Sequence, residues 1–321
     1  MLDFKKYIKS IISGIMISLV IYLAIVFYQI GAPTESSHQF DLVYRTTTNI
    51  AQSFSQPKLV VVAGSNAAFG VRCQLIYEEM GIACVNGGTH AGLGIDYLLY
   101  KARRWIKPGD IVLLPLEYNH YVADGKPTDL LIDYVFSHDS DYFYATDFGL
   151  KARLTLGMSF VRLAKGVMAK IKPLIPAEAD ALSQNRNRYG DFILNQASEI
   201  TSEQRNKLNK FPPLSIIKGS FSSTYGTNVI RAFVEWCKAN QVKVIATYPN
   251  TIYFPEYEQE MQSNFFISIQ TFYQELGVPL LGRPQDFMYG TSNFFDTNYH
   301  LNDRGCQERT QQLIHLLRPY L

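Results

Sequence analysis

The sequence predicts an α/β protein: a three-layer α/β/α sandwich with about five parallel strands, an N-terminal transmembrane helix and a helical insertion. Three observations support this prediction. Short apolar, β-branched runs alternate with segments of helical periodicity, a pattern typical of a parallel sheet. An uncharged run near the N-terminus is long enough to cross a bilayer. A Tyr- and Asp-rich segment separates two halves of the alternating pattern.

The N-terminal apolar run, residues 10–30, reads SIISGIMISLVIYLAIVFYQI and contains no charge. As a helix it would span roughly the 30 Å hydrocarbon core of a bilayer. Lys5, Lys6 and Lys9 precede it, so the positive-inside rule places residues 1–9 in the cytoplasm. We therefore expect a single-pass protein of the inner (cytoplasmic) membrane with a periplasmic or extracellular C-terminal domain. A cleaved signal peptide is the alternative, although no A-x-A-like site follows the run.

Composition narrows the function classes. The chain is 47% hydrophobic and 18% charged with a net charge of +2, so it lacks the basic excess of a nucleic-acid-binding protein. None of its four cysteines stands in a C-x-x-C pair, and we expect no zinc or other metal site. Cys73 and Cys84 flank one predicted helix and the next strand. They either form a disulfide or, like Cys237 and Cys306, are buried small apolar residues.

The first half of the predicted domain follows a polar segment, residues 31–56, that reads as a linker becoming helical. Residues 57–321 then form the domain. The predicted strands are KLVVV, IACVN and DIVLLPLE, and the predicted helices are residues 67–80 and IDYLLYKARRWIK. A glycine-rich loop, GGTHAGLG, follows the second strand. This β-α-β-α-β order predicts right-handed crossovers in a parallel sheet.

The second half resumes the pattern after an insertion at about residues 118–220. Its predicted strands are VKVIATYPN and VPLLG, and its predicted helices are residues 226–241, 258–276 and 302–318. Within the insertion, LKARLTLGMSFVRLAKGVMAKIKPL is basic and amphipathic. It fits a cap over the site, a helix lying on the membrane, or a helical excursion packed on the sheet. Residues 176–215 read as an irregular polar continuation.

Polar residues follow each predicted strand, at the sheet edge where open α/β proteins carry their sites. These residues are Gly64-Ser65-Asn66, Asn86 to His90, Glu117 to His120, Tyr248-Pro249-Asn250, and Asp296 with His300. A Ser, small backbone donors, a carboxylate and a His are the parts needed for acyl transfer or ester hydrolysis.

The order of these blocks resembles the SGNH/GDSL hydrolases and their membrane-anchored acyl-transfer relatives, over residues 58–117 and 226–318. The resemblance implies a catalytic base, its orienting carboxylate, a nucleophile and a set of oxyanion donors. These are His300, Asp296 and Ser65, with Gly88 (or its neighbour Gly87), Asn66 and Asn119 as the donors. On the same rim, Glu117 and His90 are candidate substrate ligands. Each also has a structural alternative: Glu117 could bind a loop backbone N–H, and His90 could be an exposed loop residue.

Three positions depart from the family pattern. Aligning Gly64 with the family glycine puts Asn66 in the nucleophile slot, and only a shift of one residue makes Ser65 the nucleophile. Asp296 precedes His300 by four residues rather than three. Asn119 comes two residues after the predicted strand end at Glu117.

The resemblance implies an esterase or O-acyltransferase that acts on a cell-envelope polysaccharide or its acyl donor. It implies no cofactor, and it implies a membrane-bound O-acyltransferase as a partner. The alternative is a catalytically inactive relative that binds a glycan or serves as an accessory protein to such an acyltransferase.

Overall fold

The computed structural model describes residues 2–173, 185–261 and 264–321 and confirms the predicted fold class. The chain divides into two compact units. Unit 1 comprises Met1–Asp41 and Pro127–Glu178, and unit 2 comprises Leu42–Lys126 and Ala179–Leu321. Every candidate site residue belongs to unit 2.

Unit 2 is built on a five-stranded parallel sheet with the order β2-β1-β3-β4-β6. Val60 in β1 pairs with Val85 in β2 and Val112 in β3, and all three side chains are fully buried. Burial on both faces explains why these strands read as continuous apolar runs. A second, two-stranded parallel sheet consists of β5 and β7. The strands are β1 Leu59–Val61, β2 Cys84–Asn86, β3 Ile111–Leu114, β4 Lys243–Thr247, β5 Thr251–Ile252, β6 Leu280–Leu281 and β7 Met288–Tyr289.

Helices connect the strands of unit 2, and several begin at side-chain caps of the kind that satisfy the first free amides. Thr224 accepts from the amide of Thr227, and Asn302 Oδ1 accepts from the amide of Gly305 at 3.0 Å. The helices described in unit 2 are α3 Ser65–Ala68, α4 Cys73–Met80, α5 Ile95–Ala102, α6 Tyr118–Tyr121, α11 Ser202–Leu208, α12 Tyr225–Ala239, α13 Glu256–Met261, α14 Asn264–Glu275 and α15 Asp303–Leu317.

The helix predicted over residues 67–80 is broken in the structure. Helix α3 ends at Ala68 and α4 begins at Cys73. A Cβ on Gly70, between them, would lie 2.4 Å from Arg309 Nη1 and from Asn250 Oδ1. Side chains remote in sequence thus crowd the break at Gly70, an approach that helical periodicity does not encode.

Residues 31–56 contain a 19-residue helix, α2 Glu35–Ser53. Its second part lies in the core of unit 2. The Tyr44 ring lies edge-on to Tyr97 at 5.7 Å and stacks on Trp105 at 5.9 Å. Unit 2, which contains the sheet, thus begins before residue 57.

Unit 1 contains a long N-terminal helix and about half of the insertion. Helix α1, Leu2–Tyr28, is long and apolar enough to cross a membrane, and it begins well before residue 10. The described part of the insertion in unit 1, residues 127–173, is mainly helical. In unit 2, α11 replaces part of the irregular segment expected over 176–215, of which residues 176–184 lie outside the described residues. The other helices in the described part of unit 1 are α7 Asp129–His138, α8 Ser140–Ala145, α9 Phe148–Leu156 and α10 Phe160–Ile171.

Cys73 and Cys84 form a disulfide with a Cα–Cα distance of 5.1 Å, which decides between the two sequence alternatives. It joins the start of α4 to the start of β2. Cys237 and Cys306 are free and buried. A disulfide is consistent with a domain outside the cytoplasm.

Candidate active site

The loop between β7 and α15 presents a carboxylate–imidazole pair. Asp296 Oδ1 lies 2.7 Å from His300 Nδ1, within hydrogen-bonding distance. The backbone explains how a spacing of four residues allows this contact. The Phe295 amide donates to the His300 carbonyl at 2.8 Å, and Phe294 pairs with Leu301 in an antiparallel bridge. The loop therefore closes on itself and sets the two side chains next to each other.

Phe69 holds this pair against the turn that follows β1. The His300 ring stacks on Phe69 with 4.1 Å between ring centroids and 9° between planes. The Leu301 amide donates to the Phe69 carbonyl at 3.0 Å, and the Phe69 amide donates to the Ser65 carbonyl at 2.9 Å. Two neighbouring hydrogen bonds and one stacked ring thus connect the His300 loop to the helix that carries Ser65.

Ser65 is the first residue of α3 and is half-buried. Neither its hydroxyl nor His300 Nε2 has a hydrogen-bond partner in the described part of the chain, and the two are not bonded to each other. In enzymes without substrate such bonds are often long and tighten only when substrate binds. The described geometry leaves both atoms available.

The buried carboxylate of Glu117 accepts hydrogen bonds from two amides of the turn that follows β1. Its Oε2 accepts from the Gly64 amide at 3.0 Å, and its Oε1 accepts from the Asn66 amide at 3.1 Å. Burial would raise the pKa of this carboxyl, but His120, with Nε2 at 3.3 Å, and the bonds from Asn66 lower the pKa to about 2. Glu117 is 1% exposed. It therefore lies within the turn, on loop N–H groups, rather than on the rim where substrate would bind.

Asn66 is also fixed in the interior. Its side-chain amide donates to the Pro115 carbonyl at 2.8 Å, and its Oδ1 accepts from Arg309 Nη1 at 3.3 Å. Arg309 further donates to Asn250 and, at 3.2 Å, to the Tyr248 carbonyl. Asn66, in the family's nucleophile slot, is fully buried. Its amide groups serve the turn and do not face a substrate.

Gly88 packs directly against α3. A Cβ at this position would lie 2.2 Å from the Ala68 amide nitrogen, so only glycine allows the approach. The Gly88 amide donates to Asn86 Oδ1 at 3.0 Å, and the Gly88 carbonyl accepts from Arg186 at 2.8 Å. The N–H expected to hold an oxyanion is engaged inside the protein.

His90 lies near the Asp296–His300 pair. Reduced solvation lowers the pKa of His90, the charge of His300 lowers it further, and Glu117 opposes both effects. His90 Nδ1 accepts a hydrogen bond from the Gly92 amide at 3.0 Å, so the imidazole is bonded to its own loop through this nitrogen. Asn119 is exposed on α6.

The structure separates most of the expected site residues into two groups. Asp296 pairs with His300, whose ring stacks on Phe69; the Phe69 amide donates to the Ser65 carbonyl, and Ala91, next to His90, approaches the Gly64 turn, since Ala91 N would lie 2.6 Å from a Cβ on Gly64. The turn amides of Asn66 and Gly88 are occupied, and Glu117 is buried beneath them. Among the described residues, no group of three or more His, Cys, Asp or Glu could hold a metal ion.

Sequence reasoning missed two supporting residues, Phe69 and Arg309, and named His120 only as part of the polar block after the third predicted strand. Arg309 offered a signal, because it lies in α15 on the same face as the buried Cys306 and Leu313. A charged residue within an apolar stripe needs buried partners. Phe69 carried no comparable signal, since an aromatic ring at this spacing is typical of any helix core.

Comparison with known proteins adds little to this picture. No protein-family model matches the chain, and no curated protein matches it. Among solved structures, it is similar to a protein from Streptococcus pneumonia provisionally described as a platelet activating factor. The TM-score is 0.42 at 12% sequence identity, over 88% of this chain and 92% of that one.

Proposed function

We propose that the protein is a serine esterase or O-acyltransferase, anchored to the cytoplasmic membrane by α1, with its α/β unit in the periplasm or outside the cell. One observation carries the proposal. The Asp296–His300 contact of 2.7 Å leaves His300 Nε2 without a partner among the described residues, and the His300 ring stacks on Phe69, whose amide donates to the carbonyl of the half-buried Ser65. A positioned imidazole with one nitrogen engaged and the other available is what a general base requires.

In the proposed mechanism Asp296 accepts a hydrogen bond from His300 Nδ1–H and fixes the tautomer that leaves Nε2 basic. Nε2 takes the proton of the Ser65 hydroxyl as Oγ attacks the ester carbonyl. The protonated imidazole then gives that proton to the departing alcohol, leaving an acyl group on Ser65. Water or an acceptor hydroxyl, deprotonated by the same Nε2, releases the acyl group.

The developing oxyanion needs N–H donors that the protein does not already use. The Ser65 amide is suitable, because it is the first residue of α3 and has no partner in the helix. The exposed Asn119 is the candidate side-chain donor on the same rim. The amides of Asn66 and Gly88 already donate to Glu117 and Asn86, so they stabilise the turn and the glycine-rich loop and do not serve as oxyanion donors.

The substrate class and the partner follow from the family resemblance. We propose an acylated cell-envelope polysaccharide, or the acyl donor for it, with a membrane-bound O-acyltransferase as the partner. Anchoring by α1 would keep the site close to both.

Ester hydrolysis by the full-length protein tests the proposal. Short-chain aryl esters are the first substrates, and Ser65→Ala should abolish the burst of released phenol that reports acyl-enzyme formation. Asn66→Ser provides the matched comparison, since it restores a serine at the family's nucleophile slot. A wild-type rate no higher than that of Ser65→Ala, with both proteins folded, would refute esterase chemistry.

A glycan-binding protein without turnover is the second candidate, and a specific observation favours it. The residue in the nucleophile slot is the buried Asn66, and the Gly88 amide is already engaged. Under this alternative, calorimetric binding of envelope glycans would depend on exposed rim residues such as His90 and Asn119, while Ser65→Ala would leave binding unchanged.

A further inference from the structure

Helices α9 and α10 of unit 1 carry large apolar side chains that no part of the described chain covers. Phe148 and Phe160 are each 85% exposed, and Leu156 is 69% exposed. Large apolar side chains exposed together at this density mark an interaction surface.

The exposed apolar residues of α10 form one stripe. At 3.6 residues per turn they fall within an arc of about 100° on the helix. They are Phe160, Val161, Ala164, Met168 and Ile171. Lys165 and Lys172 border the stripe on one side, and the opposite arc is buried through Leu163, Gly166 and Ala169. The helix therefore buries one face in unit 1 and leaves a second apolar face outside.

The charged residues of α9 and α10 are all basic. Residues 148–173 contain six basic residues and neither Asp nor Glu. The basic residues are Lys151, Arg153, Arg162, Lys165, Lys170 and Lys172. Arg162 is buried on Asp133, and the other five lie at or near the surface. Exposed aromatic and aliphatic side chains with lysines at their border are typical of helices that lie in a lipid interface.

Contacts within unit 1 fix the position of this surface along α1. Tyr22 Oη donates to the Thr155 carbonyl at 2.6 Å, Gln29 Nε2 lies 2.9 Å from Met158 Sδ, and Arg162 donates to Gln29 Oε1 at 2.6 Å. The α9–α10 junction thus lies alongside the last turns of α1.

The exposed part of α1 runs from Phe4 to Ile21, and partial burial begins at Tyr22. Eighteen residues of helix cover about 27 Å, close to the hydrocarbon thickness of a bilayer, and Lys5, Lys6 and Lys9 in the first two turns can extend to the cytoplasmic headgroups. If this part, rather than residues 10–30, crosses the membrane, the outer interface lies at Tyr22 to Gln29, where α9 and α10 pack.

We infer that α9 and α10 form a second membrane contact, in which the stripe of Phe160, Met168 and their neighbours enters the outer interface and the bordering lysines meet anionic lipid headgroups. The inference rests on the proposed anchoring by α1. Such a contact would hold unit 1 flat on the bilayer instead of leaving it tethered by a single helix.

Depth-dependent fluorescence quenching tests this inference in the full-length protein. Single cysteines, Phe160→Cys or Met168→Cys, are labelled with an environment-sensitive fluorophore without reduction of the native disulfide. Ile12→Cys reports on α1, and Lys210→Cys is a water-exposed control in unit 2. The protein is reconstituted into phosphatidylcholine–phosphatidylglycerol vesicles that contain lipids brominated either near the headgroup or deep in the acyl chain.

We expect shallow brominated lipids to quench the labels at 160 and 168 several-fold more than the Lys210 control, and deep brominated lipids to quench the label at 12. Quenching at 12 without quenching at 160 and 168 would overturn the second contact while leaving the anchor intact. Absence of quenching at 12 as well would refute the anchor and the inference together. A blue shift at 160 that grows with protein density, without quenching by lipid, would assign the surface to a second copy of the chain instead.

Discussion

The two sides of the candidate site differ in how their polar groups are used. On the side formed by the loop before α15, Asp296 and His300 are paired with each other, and His300 Nε2 has no partner among the described residues. On the side formed by the ends of β1 and β2, the amides of Asn66 and Gly88 are engaged by Glu117 and Asn86. Under the proposed function the first side supplies the general base, and the second holds the turn in place. Mutations on the two sides should therefore affect different measurements.

Replacement of His300 tests the reactive side and should have the largest effect. His300→Ala removes the proposed base and should lower kcat/KM for ester hydrolysis by about 10²- to 10⁴-fold, with little change in the denaturation midpoint. Asp296→Asn should lower it less. His315→Ala, an exposed histidine in α15, is the control and should leave the rate unchanged. Equal rates for the His300 and His315 variants would show that His300 is not the general base.

Replacement of Glu117 tests the rigid side. Glu117→Ala leaves two backbone amides and His120 without their buried partner and should reduce the free energy of unfolding by about 3–5 kcal/mol. Urea denaturation measures the loss. Glu275→Ala removes a carboxylate that is 59% exposed and should change stability by less than about 0.5 kcal/mol. A Glu117→Ala protein as stable as the Glu275 variant would show that the turn does not depend on this carboxylate.

The pH dependence of stability is a second test of the contribution of Glu117. The pKa of Glu117 falls from its ordinary 4.5 to about 2 in the folded protein, so its contribution to stability is present above pH 4.5 and is lost as the pH falls towards 2. The difference corresponds to about 3 kcal/mol. Between about pH 6 and pH 3, wild type should therefore lose more stability than Glu117→Gln, which cannot titrate there. Parallel losses in the two proteins would assign the acid sensitivity to other carboxylates.

Gly88→Ala should have the smallest effect of the set. The added methyl group would meet the Ala68 amide nitrogen at 2.2 Å and should cost about 1–3 kcal/mol through displacement of α3. Gly290→Ala is the matched control, because a Cβ there has only Ser292 Oγ nearby, at 3.8 Å. If both variants unfold at the same urea concentration, the packing of the glycine loop on α3 is not what fixes the turn.

The sequence predicted the fold well and the site only in part, for identifiable reasons. Apolar runs such as KLVVV carry their own signal for buried parallel strands, and the central sheet followed from them. The spacing of Cys73 and Cys84 allows a disulfide but cannot decide whether it forms. Local periodicity predicted one continuous helix, whereas the break at Gly70 lies against Arg309 and Asn250, which are remote in sequence.

The candidate site shows the same limit. The contact between Asp296 and His300 depends on a backbone turn closed by Phe295 and the His300 carbonyl, which the spacing of four residues did not reveal. The engagement of the Gly88 amide likewise depends on a side chain, Asn86, whose direction no pattern gives. Residue types at strand ends predict where polar groups gather, whereas their hydrogen-bond partners are set by tertiary structure.

The central claim is that Ser65, with His300 as its base, is a nucleophile. The most direct measurement is reaction of the full-length, reconstituted protein with a fluorophosphonate probe, followed by mass spectrometry of the labelled peptide. The account predicts an adduct on Ser65 that is absent in Ser65→Ala, strongly reduced in His300→Ala and retained in His315→Ala. A folded wild-type protein that gives no adduct on Ser65, or the same adduct yield without His300, would contradict it.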